Sequence, residues 1–347
     1  MVKTDIKRLT LAELKESLRE LGVKPYRAEQ VFYWLYNRGV DTFASMKNIP
    51  GEIIEMWDEH FYIMGLKLSE TQRSKDGTAK FLFELEDGNF IESVLIPHKT
   101  RETLCISTQV GCRFVCGFCA SGRMGFERNL TTSEITGQVL YALRRSKAKV
   151  SNYVFMGMGE PLDNYDNLAK SILIMNESKG LAIGARRITI STCGIVPGIK
   201  KLRDFGLQVN LSISLHASTD RLRNELVTAN KIYPLKGLIK ACKEYAEATG
   251  RVITLEYVLI KGKNDSVEDT AGLSKIARDL RAKVNVIAYS DIGAAGYNTP
   301  SRREIAVFMN RLREKGVNVT LRRSAGADIQ AACGQLAGRR RCRDIRL

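Results

Sequence analysis

The spacing of apolar and polar positions changes character twice along this chain, and each change marks a boundary. Thr10-Leu11-Ala12-Glu13 has the form of a capping box and opens an amphipathic run that reaches Leu21. A second apolar-rich run, from Arg27 to Tyr36, ends at Arg38-Gly39, and a third follows Pro50 from Gly51 to about Phe61. Together these predict a small helical module over residues 1–62. The period then falls to two. Lys80–Leu85 and Phe90–Ile96 alternate and are joined through Asp87-Gly88, which predicts a β-hairpin within a connecting segment, 63–98.

From Leu104 onward, strand-like runs alternate with helical ones. The strands are predicted at Leu104–Gln109, Tyr153–Met156, Arg187–Ser191, Asn210–Ser214, Val252–Ile260 and Lys283–Ala288. Helical patterns at Ser133–Arg145, Asp166–Asn176, Leu235–Thr249, Val267–Leu280 and Ser301–Lys315 separate most of them. Such alternation builds a parallel sheet from βα units. Six strands cannot close an eight-stranded barrel, so the pattern predicts an α/β fold with an open, TIM-like (β/α)6 partial barrel over 99–338 and a basic tail at 339–347. Function in such sheets gathers at the C-terminal ends of the strands.

Composition adds a partner and a compartment. Residues 1–94 hold 13 Lys and Arg against 16 Asp and Glu, whereas 95–347 hold 41 against 22, so the +16 charge belongs to the large unit. Such a surface suits a polyanion such as nucleic acid, and it also suits a merely well-solvated enzyme. The start Met1-Val2-Lys3-Thr4-Asp5 has no apolar signal core, and no run of eighteen apolar residues occurs. A cytoplasmic protein without a membrane span is expected, its eight cysteines mostly free thiols.

The candidate chemistry centres on Cys112, Cys116 and Cys119, at spacings of four and three. Three thiolates hold an iron–sulfur cube while leaving one iron open to a ligand. Phe114, Val115 and Phe118 are candidates to shield it, and Gly111 and Gly117 let the loop bend. Structural zinc takes four ligands, and no second close cysteine pair supplies them. After the strand at Tyr153–Met156 comes Gly157-Met158-Gly159-Glu160-Pro161, where glycines can admit a ligand to the backbone and Glu160 can receive an ammonium group. Ser191, Ser214, Leu215 and His216 fall at later strand ends, with hydroxyls suited to a ribose or carboxylate; His216 taken alone reads as a structural histidine.

Taken together, these residues resemble the radical S-adenosylmethionine superfamily. Thr103-Leu104-Cys105-Ile106-Ser107, Gly157–Leu162, Ser212–His216 and Asp328–Leu336, with its Ala-Ala-Cys-Gly-Gln-Leu run, narrow the resemblance to the RlmN/Cfr family of RNA methyltransferases, most of all to its RlmN branch. The resemblance runs from the N-terminal helices to about Gly338. It implies one [4Fe-4S] cluster on Cys112, Cys116 and Cys119. It further implies S-adenosylmethionine held at Gly159, Glu160, Ser191, Ser214, Leu215, His216 and Ser290, two molecules being used per turnover. One would methylate Cys333; the second would yield a radical that takes a hydrogen from the methylated thiol, and the resulting carbon radical would add to C2 of adenosine. Glu92 would accept the proton, and Cys105 would release the product through a transient disulfide with Cys333. The implied substrates are 23S rRNA in the peptidyl-transferase region and the tRNA adenosine 3′ of the anticodon. A flavodoxin or ferredoxin would donate electrons to a monomeric enzyme. The chemistry is coherent, since adenine C2 is not nucleophilic and needs a radical cofactor.

Two positions qualify the resemblance. Tyr289-Ser290-Asp291 stands where the family shows an aromatic residue followed by Asn-Pro, so Ser290 would reach the cofactor less far. Cfr-type sequences, which methylate C8, tend to carry alanine after Gly-Glu, whereas Pro161 follows Glu160 here. C8 methylation is the nearest alternative, and a non-catalytic zinc-bearing RNA-binding protein is the alternative from another class. Cys193, Cys242 and Cys342 read as structural or incidental.

Overall fold

The computed structural model describes residues 3–293, 296–322 and 324–338. The tail 339–347, with Cys342, lies outside them. The chain begins with a two-residue strand, β1 (Thr4–Asp5), followed by α1 (Leu11–Glu20), α2 (Tyr26–Tyr33) and α3 (Gly51–His60). Thr10 caps α1 as the sequence predicts: its side chain accepts from the Glu13 N–H, and the Glu13 carboxylate accepts from the Thr10 N–H. A single π-helical turn, Trp34–Arg38, extends α2 and stops at Gly39, whose φ of 62° suits glycine. β2 (Phe61–Tyr62) pairs in parallel with β1 and closes the module.

Trp57 and Phe32 are wholly buried in this module's own core, which also takes in Leu140 and Ile174 from the large unit. Ion pairs cross the same seam, Lys179 to Glu29 at 3.3 Å and Arg144 to Asp41 at 3.6 Å. Such exposed pairs contribute about 0–1 kcal/mol each. Truncating a buried Trp costs about 3–5 kcal/mol, so apolar burial holds the module together and onto the barrel.

Ten strands form one sheet. Its antiparallel flank is β3 (Lys67–Arg73), β4 (Ala79–Glu84) and β5 (Phe90–Pro97), the last pairing with β6 (Arg101–Cys105). A short antiparallel pair, β7 (Gln109–Gly111) with β8 (Phe126–Asn129), frames the cysteine loop and the single-turn helix α4 (Ala120–Arg123). α5 (Thr132–Arg145) then leads to β9 (Lys149–Phe155), which pairs in parallel with β6. β10 (Ile188–Thr192), β11 (Asn210–Ser214), β12 (Thr254–Leu259), β13 (Lys283–Ala288) and β14 (Val319–Arg322) follow in chain order and in parallel, and the barrel stays open. The intervening helices are α6 (Tyr165–Asn176), α7 (Val196–Arg203), α8 (Asp220–Leu226), α9 (Leu235–Thr249), α10 (Val267–Asp279) and α11 (Arg302–Glu314).

Seven strands are therefore parallel where the sequence pattern predicts six. β14 is four residues at the sheet edge, two of them exposed, too short to show a period. β3 escapes prediction for the same reason: it is an edge strand with no buried residue. α7 and α8 are short helices that the periodicity also passes over.

Candidate active site

Gly111 ends β7 with φ of 71°, and an added Cβ would collide with the Gly125 carbonyl, so only glycine lets the loop turn here. Main-chain bonds then set the thiols: the Cys112 N–H donates to Gly125 O at 2.9 Å, and Cys119 N–H to Cys116 O at 3.1 Å. All three face one cavity at the C-terminal ends of the parallel strands. Phe114 and Phe118 line it with them; Val115, expected to shield the thiols, is 52 % exposed and does not. Burial raises all three thiols above the ordinary range, Cys116 to about 12.

Gly157, Gly159, Glu160, Ser191, Ser214 and His216 line the same cavity. At Gly159, φ is 94° and an added Cβ would sit 2.5 Å from the Gln109 side chain, so the chain's own packing already requires this glycine. Glu160 is buried, and its two oxygens accept from the Cys193 N–H at 2.7 Å and the Leu162 N–H at 3.0 Å. No ion pair reaches this carboxylate among the described residues, and burial raises its pKa despite those bonds. His216 has φ of 59°, and its Nδ1 accepts from Val258 N–H at 3.0 Å, which places the proton of the neutral ring on Nε2. Burial, and then the Arg223 charge, lower its pKa to about 3, so it stays neutral. Leu215 packs in the core and is not on the cavity wall; its N–H donates to Glu256 O at 3.0 Å and its carbonyl accepts from Arg223 Nε at 3.0 Å. Ser290 lies at the end of β13, its hydroxyl 3.4 Å from that of Ser324, and is not on the cavity wall.

Cys105 and Cys333, 228 positions apart in the sequence, line this cavity too, and both are free thiols. Cys105 ends β6 and is buried, which raises its pKa to about 12, with the Cys333 thiol adding to the rise. Cys333 is exposed on a C-terminal strap, residues 326–338, that walls the cavity off from an adjoining cleft of about 690 Å³. Glu92 opens onto that cleft rather than the cavity. It is buried and fully engaged: Lys80 Nζ lies 2.8 Å from Oε1, and the Ala337 and Gly338 N–H groups donate to Oε2 at 2.8 and 3.1 Å.

Models of two families match the chain: the radical SAM superfamily over residues 106–273, and the ribosomal RNA large subunit methyltransferase N-terminal domain over 4–63. A protein from Geobacillus thermodenitrificans named probable dual-specificity RNA methyltransferase RlmN is 47 % identical over 341 residues, covering 97 % of this chain and 94 % of its own. The chain belongs to the RlmN family. A Pelobacter propionicus protein named dual-specificity RNA methyltransferase RlmN is 44 % identical over 337 residues, 97 % of this chain and 96 % of that one. The crystal structure of a radical SAM methyltransferase from Sphaerobacter thermophilus superposes with a TM-score of 0.92 at 42 % identity, covering 97 % of this chain and all of that one. The protein is a radical SAM RNA methyltransferase of open α/β fold.

Membership in the RlmN family brings a [4Fe-4S] cluster and S-adenosylmethionine, and the residues present fit both. Three unbridged thiols share one cavity, yet among the described residues no three Cys, His or carboxylate side chains converge on a single-ion position. Three thiolates hold a cube and leave one iron open, whereas structural zinc asks for a fourth ligand. The buried carboxylate of Glu160, which lacks a cation, suits the cofactor's ammonium group.

The structure adds residues the sequence does not single out. Cys193 is on the cavity wall, not incidental, and its N–H holds Glu160. Arg322, from the unpredicted β14, reaches the cavity; its pKa is raised by Cys333 and, against burial, by Glu256 and Cys105, with Glu256 Oε2 at 3.8 Å. Lys80 had a signal: hairpin alternation puts it on one face with Glu92, one step diagonal from the observed Leu82–Glu92 pairing. Arg223 had none, sitting in an ordinary helical run.

Proposed function

We propose that this enzyme methylates C2 of adenosine in 23S rRNA at the peptidyl-transferase centre and in tRNA 3′ of the anticodon, carrying the methyl group on Cys333. The observation that supports this most is the presence of two distant free thiols, Cys105 and Cys333, in the same cavity as the cysteine triplet. When bound, the cluster and two S-adenosylmethionine molecules per turnover supply the electron, the methyl group and the hydrogen-abstracting radical. Cys112, Cys116 and Cys119 would hold the cluster, and Glu160, Ser191, Ser214 and the main chain at His216 the cofactor. Cys333, exposed on its strap, accepts the methyl and presents it to the base. Glu92 takes the C2 proton from the cleft side, its carboxylate kept in place by Lys80. Cys105 would release the product by bonding to the Cys333 sulfur as that sulfur's bond to the methylene carbon breaks, the thiol proton ending on that carbon as part of the product's methyl group. A flavodoxin or ferredoxin serves as donor to a cytoplasmic monomer.

The basic face of residues 95–347 would meet the RNA phosphates, and chemistry on a ring carbon requires the base to leave its stack. The test is nucleoside mass spectrometry of ribosomal and transfer RNA treated with the reconstituted enzyme. C2-methyladenosine is expected. C8-methyladenosine would overturn the regiochemistry, and a colourless protein carrying zinc would overturn the reading altogether.

A further inference from the structure

Arg223, on α8, is completely buried, and every acceptor it meets among the described residues is neutral. Its Nε donates to Leu215 O at 3.0 Å, Nη2 to Cys193 O at 2.7 Å and Ser214 O at 3.1 Å, and Nη1 to Asn230 Oδ1 at 2.9 Å. The nearest carboxylate in this network, Asp220, stands behind Asn230, whose amide donates to it at 2.9 Å. A guanidinium so placed has given up its water without gaining an ion-pair partner, which is costly unless an anion lies within its field. The carbonyls it grips belong to Cys193 and Ser214, whose side chains line the cavity of the cysteine triplet. The charge therefore sits one residue behind that wall, held there by the carbonyls of two cavity-lining residues.

We propose that Arg223 is the fixed counter-charge of the iron–sulfur cluster, a positioning residue that raises the cluster's reduction potential while tying the ends of β10 and β11 together. The inference rests on the assignment of the cluster to Cys112, Cys116 and Cys119. A cube on three thiolates carries net negative charge, and one-electron reduction by a low-potential donor adds another. A buried cation stabilises the more negative form more, because screening is weak in the interior. Without it the electron would be harder to place, and cofactor cleavage would demand a stronger reductant.

Two variants separate this role from carbonyl capping. Arg223→Met removes the charge and the bonds; Arg223→Lys keeps the charge and loses the fork. A third, Asn230→Asp made together with Asp220→Asn so that two carboxylates do not face each other, keeps the guanidinium and moves a negative charge onto it. The measurement is a dithionite titration of the reconstituted proteins followed by electron paramagnetic resonance, at matched iron and sulfide content, beside urea unfolding of the apoproteins. Arg223→Met and the double variant should both shift the midpoint to more negative potential, with Arg223→Lys close to wild type although its apoprotein is less stable. Unchanged midpoints in Arg223→Met and the double variant would leave Arg223 a capping residue only. If Arg223→Met takes up no cluster, the double variant's midpoint decides. A wild-type protein that takes up no iron would overturn the ligand assignment and this inference together.

Discussion

Replacing Glu160 with Gln should uncouple cofactor affinity from stability. In the protein as folded, Glu160 accepts two main-chain N–H bonds, from Cys193 and Leu162, and faces the cavity without a cation. Glutamine has one acceptor oxygen, so one of those donors would face its amide nitrogen, at a cost of about 1–3 kcal/mol. Removing a buried charge offsets that loss, and urea unfolding of the apoprotein near neutral pH should change little. Binding should not escape. A charge-assisted bond to the cofactor ammonium contributes about 1.5–3 kcal/mol, so the Kd for S-adenosylmethionine should rise on the order of 10- to 100-fold, read by calorimetric titration of the reconstituted enzyme. The pH dependence carries a sign. Burial makes the folded carboxyl bind its proton more tightly than in the unfolded chain. Its contribution therefore disfavours the native state increasingly as pH rises from the ordinary carboxylate range towards the raised value. Glu160→Gln should remove that part of the slope. Wild-type affinity in Glu160→Gln, with the slope intact, would refute the assignment of this carboxylate to the cofactor.

Cys116→Ala should abolish the iron–sulfur absorption band and the production of deoxyadenosine, since two thiolates cannot hold the cube; normal deoxyadenosine yield would sink the ligand assignment. Cys333→Ala should lose methyl transfer entirely, whereas Cys105→Ala should accumulate a covalent enzyme–RNA adduct on a denaturing gel, because no second thiol is left to displace the base. Full turnover by Cys105→Ala without an adduct would refute the release role. Asn264 is wholly buried, donating to His216 O at 2.8 Å and Val258 O at 2.7 Å and accepting from Ile260 N–H at 2.7 Å. Asn264→Ala should cost the apoprotein about 2–4 kcal/mol in urea unfolding, by orphaning those groups, and a loss under about 1 kcal/mol would contradict it.

Local signals in the sequence are legible where an element is long enough to show its period against a buried face; α7 and α8 also bury residues but are too short to show one. The capping box at Thr10, the hairpin about Asp87-Gly88 and the parallel strands β9 to β13 show their periods because the core imposes them, whereas the first parallel strand runs Arg101–Cys105 rather than the expected Leu104–Gln109. β3 and β14 are edge strands, where pairing is set by a neighbour rather than by their own side chains. The site divides in the same way. The cysteine triplet and the turn at Gly157–Pro161 are contiguous and stand out; Arg322 and Cys193 reach the cavity, and Arg223 the carbonyls behind its wall, only through the order of the strands. Val115 shows the converse, for a residue inside a motif in sequence can still lie in solvent rather than on its cavity.

The strap that carries Cys333 joins parts of the chain that have no other reason to meet. Asp328 accepts from Ser74 Oγ at 2.6 Å and Lys75 N–H at 3.2 Å, so the strap begins tied to the turn between β3 and β4. Gly334 O accepts from Ala120 N–H and Leu336 O from Ser121 Oγ, each at 2.7 Å, which fixes its middle to the helix that follows Cys119. It ends on Glu92, through the Ala337 and Gly338 N–H groups. Neutral bonds of this kind contribute about 0.5–1.5 kcal/mol each, and the ones to Glu92 are stronger because their acceptor is a carboxylate. In the proposed reaction Glu92 takes up the C2 proton. Protonation would weaken both N–H bonds and the Lys80 pair in a single event, at the step when Cys333 must leave the base for Cys105. On that proposed role, proton transfer would loosen the strap's end at the same step, and an acceptor held under the strap rather than in the cluster cavity would serve both.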